Sequence, residues 1–427
     1  MGFPFISVIR DIRGKNVFRY AVLRSNEPRM KIICSTNIPY AEEAFRPLGD
    51  LTILAPKEIT AERVRDADVL VIRSTLRANR ALLEGSRVRF VGTATIGTDH
   101  LDLAYLDQAG ITWCAASGCN ANSVSEYVVA ALLCLGQRHG FKLEGKTIGV
   151  VGIGNVGRLV VQKAQALGLR VLQNDPPRRA AENNPVFLPL EQVLAEADIL
   201  TLHVPLTKTG PYPTWHLADR HFFEQLKPGV VWLNAARGAA MDSDAFLAAH
   251  SLATRATGKV AYAVLDTWEG EPVFRTDVLA KADIATPHIA GHSFEGKVMG
   301  TVMIYHAVCR FLGIEPTWTP ESRLPSDGLL PPEVRLPPPL VPEIRLDPAG
   351  LSEEAALWRI VRLVYDIELD DQRLRAGAAA DPKARGEHFE QLRKNYPIRR
   401  EFRFTRVVLP QGYPRLEAKI RNLGFMI

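Results

Sequence analysis

The sequence predicts an α/β protein: two doubly wound parallel-sheet domains flanking a cleft, followed by a small C-terminal α+β domain. Three observations predict it. Short apolar runs alternate with helical patterns in two successive series, a glycine-rich turn opens the second series, and a proline-dense stretch sets off the tail.

The first series begins at Met30. KIIC, LTIL, DVLVIRS and VRFVGTA read as strands, with AEEAFRPL, ITAERVRDA and LDLAYLDQAG as helices among them. Strands separated by helices of this length pair in parallel βαβ units. Val124–His139 reads as a long helix joining the two series. The second series runs from Lys146 through KTIGVVGIGNVG, LRVLQND, ADILTLHVP, GVVWLNAA, AYAVLD and ADIATPHIA. Ligands of open α/β sheets bind at the carboxyl ends of the strands, so both sheets are expected to line one site. Gly296–Leu312 reads as a helix leading back to the first domain. Ten of the chain's 29 prolines lie between Glu315 and Pro348, a density that favours extended linker. An echo within it, PEVRL at 332–336 and PEIRL at 342–346, reads equally well as edge strand. The expected division is 1–29 as an N-terminal extension, 30–123 with 286–315 as a substrate domain, 124–285 as a nucleotide-binding domain, 316–346 as linker, and 347–427 as the tail domain.

Composition bounds the function classes. At 427 residues, 47% hydrophobic and 23% charged, the chain can bury several cores, and disorder over most of its length is excluded. Its longest apolar runs, such as Val128–Leu135, fall well short of the roughly 20 residues that span a bilayer, and the N-terminus puts apolar before basic residues, unlike an export signal. Five cysteines without a C-x-x-C pair argue against a disulfide framework and a structural zinc site, and a reducing cytoplasm fits them. No metal is expected. The formal charge of +5 comes with no nucleic-acid motif, so a solvated face or an anion site is the expected use of the basic tail.

Gly152-Ile153-Gly154-Asn155-Val156-Gly157 follows an apolar strand, Thr147–Val151, and opens a helical pattern. A second strand, Arg170–Gln173, leads to Asp175. In that context the glycines permit the tight turn, the approach of backbone to a pyrophosphate, and close helix–strand packing. The anion sits on the helix N-terminus. Asp175 suits a ribose diol and repels a 2′-phosphate, pointing to NAD, although Arg178 and Arg179 nearby are a feature that NADP sites use.

Three further residues fall where second-sheet strands should end: Arg237, Glu271 and His288. Oxidising a 2-hydroxyacid needs a fixed cation for the carboxylate, a base for the hydroxyl proton and a hydride acceptor. Arg offers a planar fork for a carboxylate, and His titrates near neutrality. Glu271 is the expected neighbour that stabilises the imidazolium. Singly, each has a plain structural reading as a salt bridge, a turn acid or a loop histidine. Together after a nucleotide turn, they point to hydride chemistry.

With these residues in view, the chain from Met30 nearly to its end resembles the D-2-hydroxyacid dehydrogenase family. The likeness is carried by the Gly152 turn, Arg237-Gly238, Asp266–Pro272 and Pro287-His288. It is also carried by Arg73-Ser74, Phe90–Thr95 with Gly97–His100, Gly118–Ala121, Asp175–Pro177, and the tail segments Leu363–Asp366 and Leu392–Tyr396. The resemblance implies Arg237 and Glu271 as active-site residues and His288 as proton donor or acceptor. It implies Ser74 and Thr95 as substrate contacts, His292 at a substrate-contacting position, and Asp175, Asp266 and Gly291 as cofactor contacts. It further implies NAD, a homodimer held by residues 347–427, and oxidation of 4-phospho-D-erythronate to 2-oxo-3-hydroxy-4-phosphobutanoate in pyridoxal 5′-phosphate synthesis. Arg73 is the expected phosphate ligand. Two positions depart from the pattern: His292 stands where Tyr is usual, and Val204 where Thr is usual. The alternatives are another D-2-hydroxyacid substrate, of the 3-phosphoglycerate or glyoxylate type, and an NAD(H)-sensing binding protein without catalysis.

Overall fold

The computed structural model of the chain describes residues 9–10, 16–17, 29–250, 258–320, 343–378 and 381–427. At the start, β1 (Ile9–Arg10) and β2 (Asn16–Val17) form a short antiparallel ladder; the rest of residues 1–28 of the expected extension lies outside the described residues. The chain divides into two compact units, Met1–Cys119 with Lys297–Leu329, and Asn120–Gly296 with Leu330–Ile427.

The first unit is built on β3 (Lys31–Ser35), β4 (Asp50–Leu54), β5 (Val69–Ile72), β6 (Phe90–Thr93) and β7 (Thr112–Ala115), in the order β4-β3-β5-β6-β7. Every neighbouring pair is parallel. Alternate residues of β3 and β5 enter opposite cores, as the two-residue period of a strand requires. Ile32, Cys34, Val69 and Val71 pack with Ile304, Tyr305 and Val308 of the helix Phe294–Leu312, which returns to this sheet as expected. Ile33, Leu70 and Ile72 pack with Val64, Leu82 and Leu106 on the other side. The strand order reverses between β3 and β5, so a crevice opens at their carboxyl ends, where Arg73 follows β5.

The second unit carries β8 (Thr147–Val151), β9 (Arg170–Asn174), β10 (Ile199–Leu202), β11 (Val230–Asn234), β12 (Val260–Leu265) and β13 (Ile284–Ala285), in the order β13-β12-β11-β10-β8-β9. It too is parallel throughout. Its order reverses between β8 and β10, which puts the glycine turn after β8 at the switch point. One face buries Ile148, Val150, Leu233 and Val264 under the helix Ala121–His139. The other buries Leu200, Leu202 and Trp232 against Phe222, Phe223 and Phe246.

The small C-terminal domain follows. It contains helices Glu353–Val364, Ile367–Ala376, Pro382–Lys394 and Pro414–Leu423. A parallel pair, β14 (Glu343–Arg345) and β15 (Arg406–Val408), accompanies them. It shares its core with the second sheet: Leu357, Ile360, Val361 and Phe402 belong to the same apolar cluster as Tyr127, Ala131 and Leu135. A helix as apolar on all sides as Ala121–His139 needs cover on more than one face, and the tail supplies it. Within the echo, Glu343–Arg345 of the second copy takes the edge-strand form, so the expected linker has become strand before residue 346; the first copy lies outside the described residues. Among the described residues no helix is long and apolar enough to cross a membrane.

Candidate active site

The helix Asn155–Ala166 begins directly after the glycine turn, with Gly154 as its cap. Gly152 has φ +90°, and a Cβ there would lie 2.7 Å from the His203 carbonyl oxygen. On Gly157 a Cβ would sit 1.9 Å from the Gly152 oxygen, so helix and strand can close only on glycine. A Cβ on Gly154 would meet nothing within 4 Å beyond its chain neighbours. A tight turn, an open face and the unpaired N–H groups of the first helical turn at Asn155 and Val156 fit a bound pyrophosphate. Asp175 is held at the end of β9 by Ile153 N–H at 2.8 Å and Arg178 N–H at 3.0 Å. Each carboxylate oxygen retains acceptor capacity for a ribose diol. The Arg178 guanidinium is already engaged, by Glu182 at 2.6 and 3.0 Å and by the Ile153 carbonyl at 2.7 Å. That occupation favours NAD over a 2′-phosphorylated cofactor.

Val204, where the pattern has Thr, packs with the second-sheet core. His203 beside it bonds Thr201 Oγ1 through Nε2 at 3.0 Å, while its buried Nδ1 has no partner. Burial pushes this imidazole down to about 3. Below the unfolded value of about 6.5 the unfolded chain takes up a proton that the folded one refuses. Stability is therefore expected to fall through this group as pH drops from about 6.5 towards 3, with no contribution above. His203→Gln should flatten the decline of Tm over that range, followed by circular dichroism; parallel curves would contradict the assignment.

His288 and Glu271 meet as the sequence reading expects. Nδ1 of His288 lies 2.5 Å from Glu271 Oε1, and Glu271 Oε2 accepts the Trp268 N–H at 3.1 Å. Burial alone would raise the Glu271 carboxyl, but the charge and hydrogen bond of His288, with the Trp268 amide, hold it below its usual range. His288 has φ +55°, a left-handed conformation that a non-glycine residue keeps only when its surroundings impose it. Asp266 imposes it. This buried carboxylate accepts the N–H groups of Ile289 at 2.7 Å and Ala290 at 3.0 Å and the Thr286 hydroxyl at 2.7 Å. The His288 N–H reaches the Asp266 carbonyl at 2.7 Å. The resemblance implies a cofactor contact for Asp266; what the geometry shows is the scaffold of the histidine turn. Thr286 is tied in turn to Tyr127 Oη at 2.8 Å and, through its carbonyl, to Trp268 Nε1 at 2.9 Å. These partners escaped the sequence reading, because nothing in a buried Thr, Tyr or Trp advertises which turn it supports.

Arg237 follows β11. Asn234 clamps its loop, accepting from Ala236 N–H and donating to the Arg237 carbonyl, both at 3.1 Å. One guanidinium nitrogen, Nη1, donates to the Ala236 carbonyl at 2.8 Å. A Cβ on Gly238 would fall 2.0 Å from the Trp268 carbonyl oxygen, so the glycine brings the Arg237 turn against the segment that carries Glu271. Gly291 closes the histidine turn against the Asn120 side chain. His292 donates its N–H to Ile289 at 2.8 Å, and its ring meets Tyr396 edge-on, centroids 5.6 Å apart.

In the first unit, Arg73 leaves β5 at the switch point with Nη1 buried and without a hydrogen-bond partner. No carboxylate pairs with it among the described residues, and burial lowers the guanidinium from its usual value. Ser74 beside it is exposed. Thr95 Oγ1 lies 2.8 Å from Thr93 Oγ1 and 3.2 Å from the Gly97 carbonyl, and Thr93 Oγ1 is 2.8 Å from His100 Nε2.

A dinucleotide turn and a histidine–carboxylate pair in one parallel-sheet unit define an NAD-dependent dehydrogenase of the D-2-hydroxyacid class. Residues 133–290 match the NAD-binding domain of D-isomer specific 2-hydroxyacid dehydrogenases, and residues 335–424 match a domain family of unknown function. An erythronate-4-phosphate dehydrogenase of Edwardsiella ictaluri is 46% identical over 380 residues, covering 89% of this chain and 95% of its own. One of Escherichia coli is 44% identical over 374 residues, covering 87% and 92%. The fold is shared with the NAD-bound 3-phosphoglycerate dehydrogenase of Entamoeba histolytica, with TM-score 0.56 and 24% identity over 67% of this chain and 96% of that one. The chain belongs to the erythronate-4-phosphate dehydrogenase family of D-2-hydroxyacid dehydrogenases.

Proposed function

We propose that the chain oxidises 4-phospho-D-erythronate at C2 to 2-oxo-3-hydroxy-4-phosphobutanoate, in the synthesis of pyridoxal 5′-phosphate. The observation that carries the reading is the His288–Glu271 pair at 2.5 Å in the unit that also holds the dinucleotide turn. With Nδ1 committed to Glu271, the other ring nitrogen, Nε2, takes the C2 hydroxyl proton, and Glu271 stabilises the imidazolium. NAD, when bound, accepts the hydride released from C2. Arg237 holds the substrate carboxylate. Asp266, Asp175, Gly291 and the Gly152–Gly157 turn set the cofactor and the histidine, while Ser74, Thr95 and His292 contact the substrate. The substrate's name comes from the relatives, and the half-buried Arg73, whose buried Nη1 has no partner, supports it, since such a donor is costly without an anion. Arg73→Gln should raise KM for the phosphorylated acid by about 10- to 100-fold without lowering Tm. Unaltered KM would remove Arg73 from the substrate.

We infer a homodimer, supported by the large apolar side chains that the C-terminal domain leaves exposed, Leu363 at 58% and Leu369 at 45%. Sedimentation of the intact protein tests it. Deletion of the tail would not, because the tail completes the core of the second unit. A reducing cytoplasm suits five cysteines, none of which forms a disulfide.

The deciding assay measures bound NAD(H) in the purified protein, then turnover with 4-phosphoerythronate, 3-phosphoglycerate and glyoxylate, with a 2-oxoacid supplied to re-oxidise cofactor. Turnover confined to another acid would sink the substrate assignment. NADH binding with no turnover on any of them would favour a sensor.

A further inference from the structure

The turn that carries His288 is gripped from two directions. Asp266 takes the N–H groups of Ile289 and Ala290. The carbonyl of Ala290, on the far side of the same residue, is held by Arg399, an arginine from the C-terminal domain. Arg399 is only 5% exposed, and its Nη2 donates to the Ala290 carbonyl at 2.6 Å, to the Ser123 carbonyl at 2.9 Å and to Ser123 Oγ. Ser123 Oγ adds a second donor to the Ala290 carbonyl at 3.1 Å. The guanidinium lies over the Tyr365 ring, 4.3 Å from its centroid. Ala290 is thus fixed at both ends, its N–H by a carboxylate and its C=O by a guanidinium. Charge-assisted bonds of this kind, shielded from water, are the strong ones.

Desolvating a guanidinium is expensive, so a buried arginine spent on carbonyl oxygens and a ring face calls for a reason. His288 provides it. Its left-handed backbone, held by Asp266 on one side, is pinned on the other through the Ala290 carbonyl, so the position of the imidazole against Glu271 is coupled to that grip. We propose that Arg399 is a positioning residue for the acid–base histidine, through which the C-terminal domain sets the geometry of proton transfer. The proposal rests on the reading of His288 as proton acceptor. All three bonds come from the one nitrogen Nη2; lysine keeps the charge, but its ammonium ends one bond short of that position and offers no planar group to lie flat on the Tyr365 ring.

The test uses the full chain and a double-mutant cycle. First, His288→Ala is measured alone; full turnover there would overturn the reading of the dyad, whatever Arg399 does. Next, Arg399→Lys is expected to lower kcat by roughly 10- to 100-fold, with KM for NAD changed less than about twofold, as a misplaced catalytic group does. In the His288→Ala background the same substitution should cost almost nothing further, because it acts through the missing imidazole. Ser123→Ala, a small change at the same carbonyl, should show a loss of a few fold that also vanishes in that background, and it carries the test if Arg399→Lys fails to fold. Wild-type kcat in folded Arg399→Lys, or a loss that persists undiminished without His288, would overturn the proposal. For Ser123→Ala, an unchanged kcat or a persisting loss would do the same.

Discussion

His288→Ala should cut turnover by roughly 100-fold or more while NAD binding stays nearly intact. Among the described residues the His288 ring hydrogen-bonds Glu271, at 2.5 Å, and the turn beneath it is held by the N–H groups of Ile289 and Ala290 donating to the Asp266 carboxylate. Removing the ring therefore takes away the proposed proton acceptor and leaves its scaffold. The dinucleotide turn, at the end of β8, depends on none of these contacts. Turnover by NADH absorbance and cofactor affinity by fluorescence titration separate the two effects. Undiminished turnover would exclude His288 from the mechanism, and a large loss of NAD affinity would mean that the ring supports the cofactor instead. Glu271, left behind, becomes a partly buried carboxylate without its hydrogen-bond partner, so some loss of Tm is also expected.

Arg237→Lys should lower kcat/KM for the hydroxyacid by about 10- to 100-fold, because a single ammonium cannot reproduce a planar two-point grip on a carboxylate. The backbone at this position is set by Asn234 on one side and by the fit of Gly238 against Trp268 on the other. Neither depends on the Arg237 side chain, so Tm should change little. Kinetics of the wild-type enzyme in that variant would contradict the carboxylate role; a loss confined to KM for NAD would reassign Arg237 to the cofactor.

Much of this molecule was legible from residue order. Two series of alternating patterns gave two parallel sheets because a strand buried on both faces reads as an unbroken apolar run, and only parallel crossovers of helical length link such runs. The Gly152 turn was legible because glycine spacing reports backbone requirements directly: Gly152 has φ +90°, and a Cβ on Gly157 would strike the Gly152 oxygen. The tail was harder. Its echo supported linker and edge strand alike, since three residues of alternation carry too little signal, and the pairing of Glu343–Arg345 with Arg406–Val408 supplied the answer.

Partner choice was another matter. The segment Asp266–Glu271 holds three acids, and nothing in their spacing assigns them different work. In the folded chain Asp266 secures the histidine turn, Glu269 pairs with His216 at 2.6 Å, and Glu271 pairs with His288. Arg178 could have served a 2′-phosphate until Glu182 and the Ile153 carbonyl were seen to occupy it. Arg399 looked like one more basic residue in a basic tail. The sequence by itself determined the order of elements, the nucleotide turn and the residue types proposed for the site, because each leaves a local pattern. Only the tertiary structure decided which carboxylate serves which histidine and which arginine is buried, because hydrogen bonds form between groups brought together from distant strands, and no local periodicity records that meeting.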